Sequence, residues 1–519
     1  MNLSKALKAL SGMVGPITLM IALCFVCVHL ARAIWVTCYA GMATVDLAIF
    51  FEGCLSLLRG EPFTNAIQHI QLAGLQDYAQ APAILPGFTF HRNFILVLPA
   101  FCLAFYRHPV VLQVLAVIIA LGALPGIWLL VRRHFSQPLW RGILFIVFLL
   151  LPGLSQATAG FMPAVFAIPV LTYFFVLLES RRWIGAGCML LLFLFIREDY
   201  SIIACLLSAM LMAEQRYRRF ALVAFAFSAV YGVFAILVYP ALFASRQGAL
   251  SALALFHAFG DQPVSIVQTM LSRPWFTISY ALRPTVLLYL AALLGPFFPL
   301  CKTRSVLIVL PVAGIYALSG LNTSIQAHLH YSWPLLIIIY YYWLLHLKHH
   351  PRYRHLWIGL AICGLMSQNS LLFRPPFESN ISFSTLIARG MSGQRQVIEE
   401  HLFMKATQRL QQQIPAHEGV AIDLRARRNW LAALTRNAPA VIFPRKVHTF
   451  NYIIRAQWPS ARMKDPHLWS EFLVAQQLDA SYFSGPHRLE WQKMDSYKEY
   501  DGTEISLWRR LTHESKAVK

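Results

Sequence analysis

Apolar runs about as long as a bilayer is thick recur along the chain as far as about residue 373, and short basic stubs separate them. A spanning helix needs about 20 apolar residues, with roughly 17 the usual lower end. About eleven stretches reach or approach that length, near 13–40, 110–131, 141–157, 162–179, 183–197, 199–213, 219–242, 277–300, 304–320, 332–347 and 355–373. A 57% hydrophobic, 13% charged composition fits a polytopic membrane protein and excludes an ordinary soluble one. The formal net charge of +21 does not point to nucleic acid, because its carriers lie in the stubs rather than on a soluble surface.

The stubs orient the chain. Arg132, Arg133 and Arg141 follow the second stretch, Arg181 and Arg182 the fourth, and Arg216, Arg218 and Arg219 the sixth. Lys302 and Arg304 follow the eighth, and Lys348, Arg352 and Arg354 the tenth. With Lys5 and Lys8 holding the N-terminus in the cytoplasm, every stub falls on the cytoplasmic side. The first stretch is too long for a cleavable signal peptide and reads as a retained signal anchor. The run 93–106 would invert this order if it spanned. It is short, contains Pro99 and is flanked by His91-Arg92 and Arg107-His108, so it reads as an interfacial or re-entrant helix. It belongs to a long outer loop, 41–109, broken by Pro62, Pro82, Pro86 and Gly87.

Past Arg374 the composition turns polar enough for a soluble domain. Residues 394–413 read as an amphipathic helix, and strand-like runs follow at 419–423, 440–443, 480–483 and 504–508. The expected organisation is a transmembrane domain over 1–373 and a small α/β domain over 374–519. An odd number of spans puts the latter outside the cytoplasm. All nine cysteines precede this tail, so no disulfide framework is expected in it. Cys24 and Cys27 have redox-motif spacing but lie within an apolar helix, where packing explains them.

This topology gathers reactive groups on the outer face: Asp46 and Glu52, His91-Arg92-Asn93, Arg197-Glu198-Asp199, His257 and Asp261, Arg273, and Gln326, His328, His330 and Tyr331. Each also has a plainer explanation. Asp46 is a general base or an orienting carboxylate, or else the N-cap of a helix starting at Leu47. Glu52 is a site residue or a solvated interfacial one. The charges at 197–199 pair among themselves, or Arg197 holds a phosphate while Glu198 or Asp199 orients it. His328 and His330 share a face in an extended loop; two histidines do not make a metal site, and they can instead hydrogen-bond a sugar or phosphate. No metal ligands are assigned, and a requirement for a divalent ion is left open. Phosphate-binding loops, dinucleotide fingerprints, zincin helices and nucleophile elbows are absent in suitable context.

Asp46-Leu-Ala-Ile-Phe, His91 ahead of the Pro99 segment, Phe166-Ala-Ile-Pro169, Arg197-Glu-Asp199, Leu294-Gly-Pro-Phe-Phe-Pro299 and His328-Leu-His-Tyr331 resemble, in that order, the uncharacterised membrane-protein family called domain of unknown function 2079. The tail, with Ile414-Pro415, Gly419-Val-Ala-Ile-Asp423 and Ala440-Val-Ile-Phe-Pro444, resembles that family's closing domain. The family in turn is similar to GT-C glycosyltransferases such as the protein O-mannosyltransferases and aminoarabinose transferases. That resemblance implies a polyprenyl-phosphate sugar as donor and co-substrate, an outer-face active site, and a catalytic aspartate in the first outer loop, which maps onto Asp46. One stretch departs. Relatives often carry an acid and a histidine just before the Ala-Ile-Pro motif, where this chain has Gly160-Phe-Met-Pro-Ala164.

The expectation is therefore a GT-C-like glycosyltransferase in a bacterial inner membrane, acting on an extracytoplasmic glycan, lipid or protein acceptor. Asp46 is its catalytic residue. Glu52, His91, Arg197, Glu198, Asp199, His328, His330 and Tyr331 bind substrate. Two rivals stand beside it: a transporter or flippase of a lipid-linked solute, and a non-catalytic assembly protein for envelope glycans, which the departure at 160–164 favours.

Overall fold

A computed structural model describes residues 3–38, 45–58, 60, 93–158, 160–239, 256, 258–260, 263–297, 306–318, 331–368, 413, 420–423, 440–443, 452–457, 491–498 and 504–510. For some helical residues, Asp46 and Glu52 among them, it describes the backbone alone. The chain divides into two compact units. One comprises Met1–Ala33, Phe88–Leu98 and Gln113–Ser384; the other comprises Ile34–Gly87, Pro99–Leu112 and Thr385–Lys519.

The protein is an α-helical membrane protein, and its prolines mark where helices begin. Along the chain run α1 (Leu3–Cys38), α2 (Val45–Leu58), α3 (Val97–Phe105), α4 (Pro109–Leu121), α5 (Leu124–His134), α6 (Pro138–Leu149), α7 (Pro152–Ala157), α8 (Ala167–Glu179) and α9 (Trp183–Ile196). Then come α10 (Tyr200–Met212), α11 (Arg218–Val233), α12 (Pro263–Ser272), α13 (Pro274–Ala281), α14 (Pro284–Leu294), α15 (Val306–Leu318), α16 (Trp333–His349) and α17 (Arg354–Gln368). A proline in the first turn of α5, α6, α7, α13, α14 and α16 gives up an N–H that has no intrahelical partner there. Arg132, Arg133 and His134 end α5, and His346, Lys348 and His349 end α16, where the arginine and lysine cations meet the negative pole of the helix.

Val14–Ile34, Pro109–His134 and Arg218–Ile236 are each long and apolar enough to cross a bilayer. The stretch read at 110–131 is continuous by that measure but broken at Gly122–Ala123. Pro125 has no N–H for the Leu121 carbonyl, and Tyr173 Oη donates to the Gly122 carbonyl at 3.1 Å. The stretch at 277–300 is a bent pair, α13 and Pro284–Phe297, meeting at 54°. Shorter apolar helices fall on the stretches at 141–157, 162–179, 183–197, 199–213 and 304–320, and the last two stretches are helical over Trp333–His349 and Arg354–Gln368. The 93–106 run is helical over Phe94–Phe105, about 18 Å of helix and too short to span.

Lipid is as apolar as these side chains, so close packing and hydrogen bonds hold the helices together rather than removal from water. In the first unit α8 packs against α5, α9 and α16, and α10 against α11 and α15. Small residues permit the approach. A Cβ on Gly126 of α5 would lie 2.7 Å from Thr172 Cγ2 of α8, and one on Gly232 of α11 would lie 2.8 Å from Ser201 Oγ of α10. Phe175 stacks on Tyr341 at 3.9 Å between ring centroids, and Tyr340 Oη donates to the Leu144 carbonyl at 2.7 Å. The α8–α9 turn is tight because Arg181 adopts a left-handed φ of 56°, letting Arg182 N–H reach the Leu177 carbonyl at 2.9 Å. Where α8 meets α5, Glu179 Oε1 accepts from Tyr341 Oη at 2.8 Å. It also lies 3.1 Å from His134 Nε2, an ion-pair distance whose alignment makes no hydrogen bond.

The second unit contains a five-stranded sheet in the order β2-β1-β3-β5-β4. Its strands are β1 (Val420–Asp423), β2 (Ala440–Phe443), β3 (Tyr452–Gln457), β4 (Trp491–Lys498) and β5 (Glu504–Arg510). β1 runs parallel to β2 and β3, in register Val420↔Ala440 and Val420↔Tyr452. β5 runs antiparallel to β3 and β4. β1, β2 and β5 fall on expected runs, whereas β3 and β4 were not anticipated. The expected strand at 480–483 and helix at 394–413 lie outside the described residues, apart from Gln413.

A Cβ added at Gly187 of α9 meets nothing nearer than Phe220 at 4.0 Å. Gly126→Ala should therefore destabilise the protein by about 1–3 kcal/mol through overpacking. Gly187→Ala should be neutral or stabilise by up to about 1 kcal/mol through helix propensity. Thermal unfolding of the two variants in one detergent checks the ordering.

Candidate functional site

The α9–α10 hairpin turns on three charged residues. An apolar run, Leu190 to Ile196, builds α9 up to Arg197, whose backbone is extended (φ −157°, ψ 148°) and stops the helix. The next helix starts immediately: Tyr200 N–H bonds the Arg197 carbonyl at 3.2 Å and Ile202 N–H the Asp199 carbonyl at 3.1 Å. Ser201 Oγ donates to the Glu198 carbonyl at 2.6 Å. Asp199 stands at the N-cap position of α10 with an already helical backbone and makes no side-chain cap; its Oδ2 is engaged elsewhere.

That engagement defines the site. Arg197 Nη2 donates to Asp199 Oδ2 at 2.9 Å. Tyr316 Oη, from α15, donates to the same oxygen at 3.0 Å. The Arg197 guanidinium lies 4.6 Å from the Tyr331 ring centroid and 5.5 Å from that of Tyr200, where ring faces attract a cation. Tyr316 meets Tyr331 edge-on at 5.4 Å, and Phe193 stacks on Tyr200 at 4.7 Å. Beside Tyr331, Ser332 Oγ and Tyr289 Oη of α14 form a buried hydrogen bond of 3.0 Å. Arg197 is only 4% exposed and its partner Asp199 is 23% exposed at the side chain, so the guanidinium is nearly dry while the carboxylate is part-buried.

Three buried polar atoms are left over. Arg197 Nε, Asp199 Oδ1 and Tyr200 Oη have no hydrogen-bond partner among the described residues. A native interior rarely leaves such groups unmet. The donor edge at Nε suits an oxyanion and the acceptor at Oδ1 suits a hydroxyl, so one ligand carrying both would complete the site.

The structure thus brings together three of the expected residues, Arg197, Asp199 and Tyr331, with Glu198 buried next to them in the chain. Of the two readings of the charged triplet, the internal pairing is seen between Arg197 and Asp199, and Arg197 Nε is left without a partner among the described residues. Asp46 and Glu52 are in α2, which begins at Val45 and so carries Asp46 inside its first turn rather than ahead of it. Their side chains lie outside the described residues, as do His91, His257, Asp261, Gln326, His328 and His330. Arg273 is exposed ahead of α13. Tyr200 and Tyr316 were not anticipated. Tyr316 is the sole hydrogen-bonding side chain in Val306–Leu318, a signal the sequence does carry. Among the described residues no group of histidine, cysteine, aspartate and glutamate is disposed to hold a metal ion.

A family profile described as predicted membrane protein, DUF2079, matches residues 41–513. The chain belongs to this family. No curated protein matches it. The DUF2079 match takes in the whole of the Arg197 assembly and the described strands, while α1 lies ahead of it.

Removing one partner of a buried ion pair strands the other charge, at a cost of about 3–5 kcal/mol. Losing one hydrogen bond to a charged group costs about 1.5–3 kcal/mol. Asp199→Asn should therefore destabilise this DUF2079 protein more than Tyr316→Phe, as read by thermal or denaturant unfolding in detergent.

Proposed function

We propose that this DUF2079 protein is a membrane glycosyltransferase that moves a sugar from a polyprenyl-phosphate donor to an extracytoplasmic glycan, lipid or protein acceptor. One observation carries the reading: Arg197 Nε and Asp199 Oδ1 stand buried and unmatched among the described residues, beside a guanidinium walled by tyrosines. A glycosyl phosphate offers an oxyanion to the first and a sugar hydroxyl to the second. In the reaction the acceptor oxygen bonds to the anomeric carbon and the carbon–phosphate-oxygen bond breaks. Polyprenyl phosphate departs with the electron pair. Negative charge grows on its oxygen as the bond lengthens, and a fixed guanidinium in a dry site stabilises that charge more than the ground state. Tyr316 and Asp199 position Arg197 for this, and Tyr331 covers one face of it.

Asp46 is the proposed catalytic carboxylate, taking the acceptor's proton; this assignment rests on the GT-C resemblance. Glu52, His91, Glu198, His328 and His330 are proposed to bind substrate. Lys5 and Lys8 would hold the N-terminus in the cytoplasm of a bacterial inner membrane, and an odd count of about eleven spans would put an α/β domain, beyond a boundary at 373/374, outside it. The parallel pairing of β1 with β2 and β3 supports α/β character, because parallel strands require crossover connections. Transport of a lipid-linked solute is the second reading. The 54° break beside Arg283 favours it, since broken helices line transporter sites.

Purified protein in lipid nanodiscs, given radiolabelled polyprenyl-phosphate sugars and a cell-envelope extract, tests the reading. Wild type should move label to an acceptor. Asp46→Asn should abolish transfer at unchanged protein level. Arg197→Gln should slow it by about a hundredfold or more, the usual cost of a lost transition-state donor. Lipid binding without transfer by any variant, together with movement of the lipid across the bilayer, would replace the transferase with the transporter.

A further inference from the structure

A second buried basic group lies in the first unit, on α1, ahead of the residues the family match covers. His29 and Arg32 are 1% and 7% exposed. Their i, i+3 spacing sets them on one helix face. Both fall in the last turns of the apolar stretch Val14–Ile34, so their backbones lie about 3–8 Å inside its end, just within the hydrocarbon region, from which an arginine side chain reaches toward the headgroups. A cation on an apolar helix marks a functional site by default.

Thr158, at the end of α7, fixes the imidazole. Its single hydroxyl proton goes to the Ser155 carbonyl at 2.8 Å. Its oxygen therefore accepts from His29 Nδ1, 2.6 Å away. Phe25 packs against the ring at 4.3 Å between centroids, so the ring cannot swing without losing the Thr158 bond. Nε2 is consequently held at the opposite edge, buried and with no hydrogen-bond partner among the described residues. A phosphate satisfies this pattern. Its charge is matched by Arg32, and Nε2 either takes a hydroxyl proton from the ligand or, protonated beside the anion, donates to it.

We propose that His29, Arg32 and Thr158 form a phosphate-binding site at one edge of the membrane, filled by the headgroup of an anionic lipid. The site stands independently of the transferase reading. Its place just inside the edge of the hydrocarbon region, which a lipid phosphate borders and a free ion must leave water to reach, selects a headgroup.

The test uses the full chain in nanodiscs of phosphatidylcholine alone or mixed with phosphatidylglycerol, and reads retained lipid by native mass spectrometry and the unfolding midpoint. A separate arm adds inorganic phosphate to the phosphatidylcholine nanodiscs. Wild type should retain phosphatidylglycerol roughly tenfold or more over phosphatidylcholine, which has the same phosphate but whose choline cation offsets its charge beside Arg32. Arg32→Gln should lose that preference. His29→Asn should lose it as well while melting normally in phosphatidylcholine, because asparagine keeps a donor for Thr158 but lacks Nε2. Arg352→Gln, at an exposed stub position, should keep it. A midpoint raised by inorganic phosphate without any lipid preference would keep the phosphate site and make the free ion its ligand. No preference and no phosphate shift in wild type would overturn the proposal. So would undiminished retention in His29→Asn, or an equal loss in Arg352→Gln.

Discussion

Arg197 carries a full charge into a place nearly closed to solvent, and its surroundings serve to keep it there. A guanidinium so placed is tolerable only with a carboxylate and polarisable walls close at hand. Asp199 supplies the carboxylate from the same hairpin, Tyr316 braces that carboxylate from α15, and Tyr331 and Tyr200 supply ring faces. The helix break is part of the same arrangement. With Arg197 extended, its side chain and that of Asp199 meet two residues apart, which a continuous helix would prevent.

The packing follows from the solvent. Lipid offers no reason for apolar helices to leave it, so association depends on backbones coming close and on the few hydrogen bonds available. Gly126 and Gly232 supply the closeness, and tyrosine hydroxyls on backbone carbonyls supply the bonds. Faces without such contacts stay apolar and open, as on α11, where Val223 is 70% exposed. A membrane protein of this kind can therefore hold a rigid polar site without a large water-excluding core, provided its small residues are placed where helices cross.

Much of this was legible from residue order alone. Charges stand out in apolar sequence, so Arg197 and Asp199 were visible, and Tyr331 came with the His328–Tyr331 motif. Tyr316 was not singled out, because a tyrosine inside an apolar helix is ordinarily packing, and only the position of Asp199 gives its hydroxyl a purpose. The break within the second stretch hangs on one proline, Pro125, in an otherwise uniform run. In the sheet, β1 and β2 show as short apolar runs of the parallel kind. β4, an edge strand reading Trp-Gln-Lys-Met-Asp-Ser-Tyr-Lys with an irregularity between Lys493 and Asp495, has too little alternation to declare itself. His29 and Arg32 are inconspicuous in the sequence because the apolar stretch around them reads whole as an anchor.

On the proposed function, Arg197 keeps its Nε for the phosphate of a lipid-linked substrate. Solid-state NMR on protein with arginine labelled by 15N and loaded with polyprenyl phosphate reads this contact directly. A 15N–31P dipolar coupling to a guanidinium resonance should be present in wild type and disappear in Arg197→Gln while the variant still folds. Bound lipid phosphorus with no coupling to any arginine, or a coupling that survives Arg197→Gln, would contradict it.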